Sequence, residues 1–71
     1  MPYVKVEITD EGATMAQKAE VIQGITEVLR SVLNKDPATT FVVIDEVPVA
    51  HWGIGGVPVE EYRRRQSAAK R

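Results

Sequence analysis

Residues 3–9, Tyr3-Val4-Lys5-Val6-Glu7-Ile8-Thr9, set Val4, Val6 and Ile8 against Tyr3, Lys5, Glu7 and Thr9. That period of two predicts a strand with one well-buried face. Asp10-Glu11-Gly12-Ala13 breaks the pattern. Thr14 with Gln17 three residues on is a capping-box arrangement, in which a hydroxyl and a side-chain amide satisfy the first free amides of a helix. The helix is predicted over about 15–33. Ile22, Ile25, Leu29, Val32 and Leu33 recur at helical spacing, Val21 and Val28 widen the stripe, and Lys18, Glu20, Gln23, Glu27 and Arg30 cover the other side. Gly24 lowers helix propensity, which suggests either close packing at that point or simple tolerance.

Asn34-Lys35-Asp36-Pro37 is the expected stop, because proline disfavours helical geometry in the residue before it. Thr40-Phe41-Val42-Val43-Ile44-Asp45-Glu46-Val47 is rich in β-branched and aromatic residues, and its nearly continuous apolar core predicts a strand buried on both faces. Strand, helix and strand form an α/β unit of β-α-β type with parallel strands. Two strands under one helix are too little for independent stability, so the open sheet face and edges call for partners, most economically identical chains. After Pro48, the three glycines of His51-Trp52-Gly53-Ile54-Gly55-Gly56 predict a tight hairpin, or an arm crossing onto a neighbouring chain. The segment lacks the spacing and the Lys-Ser or Lys-Thr pair of a phosphate loop, and Pro58 stands where the helix of such a loop begins. Residues 2–65 read as one domain, and 66–71 as a disordered basic tail.

Composition narrows the choice of support. A chain of 71 residues is small for a self-sufficient core. It has no cysteine and one histidine, which excludes disulfides and thiolate zinc sites and points to oligomerisation. Nine basic residues against ten acidic ones argue against a nucleic-acid partner, although Arg63, Arg64, Arg65, Lys70 and Arg71 form a basic run of the kind usually found solvated. No apolar run reaches the roughly 20 residues of a membrane span, and no basic segment with a following apolar stretch opens the chain; a cytoplasmic, membrane-free protein is expected.

The candidate chemistry lies at Pro2. Met1 is ordinarily removed before a small second residue, and its removal leaves Pro2 with a free secondary amine. An α-amino group has an ordinary pKa of about 7.7–8.0, and burial at the end of a strand lowers it toward neutrality, the range of a general base. With Met1 attached the same nitrogen is an amide without basicity. The plain alternative is that Pro2 only starts a strand, a position that tolerates a residue lacking N–H.

Pro2 on a short strand, one β-α-β unit and His51-Trp52-Gly53-Ile54-Gly55-Gly56 near the end together resemble the small-subunit members of the 4-oxalocrotonate tautomerase family, over essentially residues 2–65. The resemblance implies that two chains pair into a four-stranded β unit and that three pairs form a homohexamer. It implies a cofactor-independent isomerase that interconverts enol and keto forms of a small unsaturated 2-oxo or 2-hydroxy acid, with Pro2 as catalytic base. Trp52 falls where the family has an aromatic pocket wall that contacts substrate and lowers the amine's pKa by desolvation; as a residue alone, it is equally a core or interface aromatic.

Dicarboxylate-binding members use two arginines, and here the chain departs from them: alignment places Ala13 and Phe41 at those positions. Residues 10–14 contain no arginine, and Asp10 and Glu11 repel an anion. The dicarboxylate 2-hydroxymuconate is therefore not the expected substrate. Lys5, Lys35 and Arg63 to Arg65 are weak candidates for a replacement cation, and His51 is a weak candidate acid or base. Adjacent Asp45 and Glu46 point to opposite faces of a strand and form no carboxylate pair. The departure leaves a competing reading, a non-catalytic scaffold or one subunit of a hetero-oligomer whose partner supplies the arginines.

Overall fold

The computed structural model describes residues 1–69. Strand β1 (Tyr3–Thr9) leads into helix α1 (Met15–Leu33), and the chain returns through a 3-10 turn at Pro37–Thr39 to strand β2 (Phe41–Val47). The strands are parallel, with Tyr3 beside Phe41, Val6 beside Ile44 and Thr9 beside Val47. The Asp10 amide extends the ladder by donating to the Val47 carbonyl at 2.8 Å.

Local chemistry sets the ends of α1. Thr14 accepts from the Gln17 amide at 3.1 Å while Gln17 accepts from the Thr14 amide at 2.9 Å, so the capping box forms in full. At the far end Asn34 adopts the left-handed conformation, φ 54°, and its amide caps the Arg30 and Leu29 carbonyls. Pro37 is thus not what terminates the helix. It opens the following 3-10 turn, whose first free amide, that of Ala38, is held by the Asp36 carboxylate at 3.0 Å.

Lys18 of α1 bonds to Glu46 of β2, which fixes the covered sheet face as Val42, Ile44 and Glu46 with Val4, Val6 and Ile8. Along α1 only part of the apolar stripe finds cover. Ile25 and Leu29 are half-buried, whereas Val21, Val28, Val32 and Leu33 remain exposed. Two strands are narrower than the stripe, since neighbouring strands lie only about 4.8 Å apart. A side chain added at Gly24 meets nothing within 4 Å, so no close packing explains that glycine within one chain. The opposite sheet face, including Tyr3, Phe41 and Val43, is open. The double-sided burial expected for β2 is therefore absent from the single chain.

Beyond β2 a second 3-10 turn, Val49–His51, leads to Trp52 and a hairpin of two short antiparallel strands, β3 (Gly53–Ile54) and β4 (Val57–Pro58). Gly55 and Gly56, at φ 63° and 86°, form the two-residue loop; positive φ at both central positions is the geometry that matches hairpin twist and favours glycine. Helix α2 (Val59–Ala69) follows. Residues 66–69, expected in an irregular tail, continue this helix, and Lys70 and Arg71 lie outside the described residues. Glu61 explains the persistence of the helix: it pairs with Arg64 and Arg65, three and four residues on.

These last elements pack on one another and on the second 3-10 turn, forming an arm. The radius of gyration is 16.4 Å, against about 11 Å for a compact chain of this length. Among the described residues Val59 alone of the hydrophobic side chains is buried. One sheet face and much of the α1 stripe are thus left uncovered in the single chain.

Candidate functional site

Pro2 sits half-buried at the entrance to β1, with Met1 projecting ahead of it at 84% exposure. Its carbonyl accepts from the Phe41 amide at 2.9 Å, so Pro2 is fixed at the first rung of the parallel pair. Tyr3 and Phe41 are register partners beside it and both are exposed. An aromatic pair thus occupies the Pro2 end of the sheet. The Phe41 position, one of the two at which a carboxylate-gripping arginine is missing, bears a ring with no charge to offer.

Trp52 belongs to the other end. It follows the second 3-10 turn, its amide donating to the Val49 carbonyl at 3.1 Å and its carbonyl accepting from the Val59 amide at 2.7 Å. The indole is half-buried. Because β1 and β2 run parallel, the Phe41 end, with Pro2, and the Val47 end, from which the arm departs, are separated by the length of seven extended residues, about 20 Å. The loop after β1 lies at the Trp52 end as well: Arg63 of α2 donates a two-pronged bond to Glu11, Nη1 to Oε2 at 2.9 Å and Nη2 to Oε1 at 3.1 Å. One chain therefore places its two best candidate residues apart. They come together only if the Trp52 end of one copy meets the Pro2 end of another.

The Glu11–Arg63 pair has a clear electrostatic signature. Hydrogen bonds from Arg63 and then from the Thr9 hydroxyl lower the Glu11 carboxyl from 4.5 to about 2, and the same contact raises the Arg63 guanidinium above its ordinary value. Among the other candidates, Lys5 lies 3.8 Å from Asp45 on the open sheet face, and Arg64 and Arg65 turn to Glu61. Lys35 is exposed in the turn after α1, toward the Pro2 end, and His51 is exposed in the turn before Trp52. Asp45 and Glu46 do point to opposite faces, one reaching Lys5 and the other Lys18. A shallow hollow on the flank of α1, lined by Glu20, Gln23, Gly24 and Glu27, lies apart from both ends of the sheet and carries no basic or nucleophilic group.

The feature that sequence reasoning undervalues is Arg63. A basic run reads as solvated charge, and only the helical register of α2 shows that Arg63 turns toward Glu11 of the β1–α1 loop. It is four residues beyond Val59, on the same face of the helix, whereas Arg64 is 76% exposed along its side chain. The usable signal is the acidic Glu60-Glu61 set three to five residues before Arg64 and Arg65, a helical pairing pattern. No helix among the described residues is long and apolar enough to cross a membrane.

Comparison with known proteins identifies the family. The probable tautomerase of Dickeya dadantii is 49% identical over 67 residues, covering 94% of this chain and all of that protein. The 2-hydroxymuconate tautomerase of Pseudomonas putida is 38% identical over 64 residues, covering 90% of this chain and all of its own length. Among solved structures, DmpI from Helicobacter pylori superposes with a TM-score of 0.82 at 35% identity, over 89% of this chain and 97% of that one. The family model described as tautomerase enzyme matches residues 2–62, beginning at the proline itself. A single β-α-β unit that opens on proline and ends in a tryptophan-bearing arm is thus a keto–enol isomerase rather than a scaffold, and the chain belongs to the tautomerase family, of the 4-oxalocrotonate tautomerase type.

Proposed function

We propose that Pro2, freed by removal of Met1, is the general base of this tautomerase, and that Trp52 of a second copy forms the apolar wall over it. The observation that carries this reading is the separation of the two residues to opposite ends of one parallel strand pair, each held there by a backbone hydrogen bond. The site is then shared between chains of a homohexamer built as three pairs. Pairing gives the open sheet face and the uncovered stripe of α1 something to pack against, and joins two strand pairs into a four-stranded β unit. Residues 2–65 make up the working domain, and the enzyme acts in the cytoplasm without a cofactor.

The chemistry is a proton relay. The unprotonated Pro2 nitrogen takes the proton from an enol hydroxyl; the oxygen becomes a carbonyl, the carbon–carbon double bond shifts, and the prolinium returns a proton to the carbon at the far end of the conjugated system. A base and its conjugate acid alternate on one atom, so the pKa must lie near the working pH. Burial against Trp52 supplies the downward shift by disfavouring the charged amine. Ala13 and Phe41 leave no arginine at either family position, and Phe41 with Tyr3 makes the Pro2 end aromatic. These features favour a 2-hydroxy unsaturated acid with one carboxylate and an apolar remainder over a dicarboxylate.

The test is ketonisation of phenylenolpyruvate by protein whose intact mass lacks one methionine. Pro2→Ala is expected to lower kcat/KM by about 10²- to 10⁴-fold, the usual worth of a positioned general base. Equal turnover by the variant would refute the assignment of Pro2, and full mass with full activity would refute the need for a free amine.

A further inference from the structure

We infer that Arg63 holds the substrate carboxylate, with Glu11 as the residue that aims it. This deepens the proposed function and rests on its shared site, since the carboxylate must come from a substrate seated between Trp52 of one copy and Pro2 of another.

Three observations lead to Arg63. First, α2 is tied to Trp52 at its first residue, through the Val59 amide on the Trp52 carbonyl at 2.7 Å. Arg63 is one turn further along the face of α2 that carries buried Val59, so the guanidinium lies on the side of the helix turned toward the hairpin and the β1–α1 loop. Second, its fork spans both oxygens of Glu11, which brings a fixed cation to the loop Glu11-Gly12-Ala13, a segment with no basic residue of its own. Third, five of the other cations are paired away from this loop, and Lys35 lies in the turn after α1, remote from it. Lys5 pairs with Asp45 on the open sheet face, Lys18 with Glu46 under α1, Arg30 with Glu27, and Arg64 and Arg65 with Glu61.

A guanidinium has five N–H donors in a planar fork, and Glu11 takes one from each terminal nitrogen. The remaining donors point away from Glu11 in the same plane and suit a second carboxylate, the geometry for which arginine is favoured over lysine. Glu11 thus restricts the rotamers of a long side chain before substrate arrives. Its charge also opposes the incoming anion. The two effects of Glu11 separate in mutants, which makes the assignment testable.

With phenylenolpyruvate as substrate, Arg63→Ala is expected to raise KM by about 10- to 100-fold, the range for a hydrogen-bonded charged group, with a smaller change in kcat; Arg63→Lys falls between. Glu11→Gln keeps an acceptor for the fork but removes the opposing charge, and lowers KM. The methyl ester of the same enol, which has no anionic oxygen, is turned over equally by the parent protein and Arg63→Ala. If the pair merely pins the arm, Arg63→Ala and Glu11→Gln instead move together and damage ester and acid alike, and that result overturns the inference. Binding of cinnamate, read by quenching of the single tryptophan in the Pro2→Ala protein, separates this inference from the proposal for Pro2. Loss of turnover with Arg63-dependent binding retained supports the role of Arg63, and binding indifferent to Arg63→Ala refutes it whatever the fate of catalysis.

Discussion

The β1-α1-β2 unit and the C-terminal arm solve the same problem differently. In the first, a seven-rung parallel ladder and a fully capped helix organise the backbone, yet no side chain of α1 is buried and one sheet face is open. In the arm, secondary structure is scant, a two-rung hairpin and an eleven-residue helix, yet it contains Val59, buried to 8% exposure. Regular hydrogen bonding and burial are thus uncoupled in this small chain. The unit is ordered by local rules and left uncovered, and the arm is ordered by a few specific tethers around Val59. Under the proposed function, a site that draws Pro2 from the first region and Trp52 from the second inherits that division, and turnover would then depend on the assembly that covers the open face.

The strongest way to break this comparison is to block the open sheet face. Val43 is 42% exposed there, beside Lys5 in the register. Val43→Asp places a carboxylate opposite an ammonium, which a single chain accommodates on its surface. Burying that charge between copies costs several kcal/mol unless it is fully paired. The expected outcome is loss of the proposed hexamer in sedimentation velocity together with loss of enol turnover. An unchanged sedimentation coefficient would show that this face is not the interface.

A smaller effect separates the tethers of the arm from its wall. Trp52 holds Val59 through its backbone carbonyl, so Trp52→Ala removes the indole and leaves that hydrogen bond in place. If the indole desolvates the amine of another copy, its loss lets the Pro2 pKa rise. The rising limb of kcat/KM against pH then moves to higher pH, and activity on that limb falls about tenfold for every pH unit the limb moves. A drop in activity with an unmoved limb would make Trp52 a packing residue only.

The difference between the regions also explains what can be read from the sequence. The strands and α1 appear as periods of two and of 3.6 because each has one apolar and one polar face, and Thr14 with Gln17 marks the helix start within a residue. The hairpin is legible because Gly55-Gly56 is adapted to two positive φ values. Helix α2 is not legible. Val59 and Tyr62 are its main apolar positions, and its stability comes from charge pairs and tethers to residues distant in sequence, among them Glu11 and Trp52. For the same reason Pro2 stands out as a candidate base from its position in the chain, whereas Arg63 emerges only once α2 is known to bring residue 63 to residue 11. A contact 52 positions apart leaves no period to detect.

Acid should loosen the arm before the rest, and this is the smallest of the expected effects. The Glu11 carboxyl has its pKa lowered from 4.5 to about 2 by the Arg63 fork and the Thr9 hydroxyl. A carboxyl with a lower pKa in the folded state than in the unfolded one adds stability that is complete above the unfolded value and disappears as pH falls through the folded one. The contribution of Glu11 is therefore whole at pH 6, begins to decline near 4.5 and is gone below about 2. Both partners are well exposed, at 41% for Glu11 and 56% for Arg63, so the effect is modest and weakened further by salt. Tryptophan fluorescence followed from pH 6 to pH 2.5 reads it directly, since Trp52 is the only tryptophan and lies at the root of the arm. Subtracting the same curve for Glu11→Gln removes the common titration of the other carboxylates. A difference confined to the window below 4.5, and diminished in 1 M salt by the roughly 3 Å screening length at that strength, locates the tether at Glu11 and Arg63; superimposable curves would mean that the hairpin and the Val59–Trp52 bond hold the arm without it.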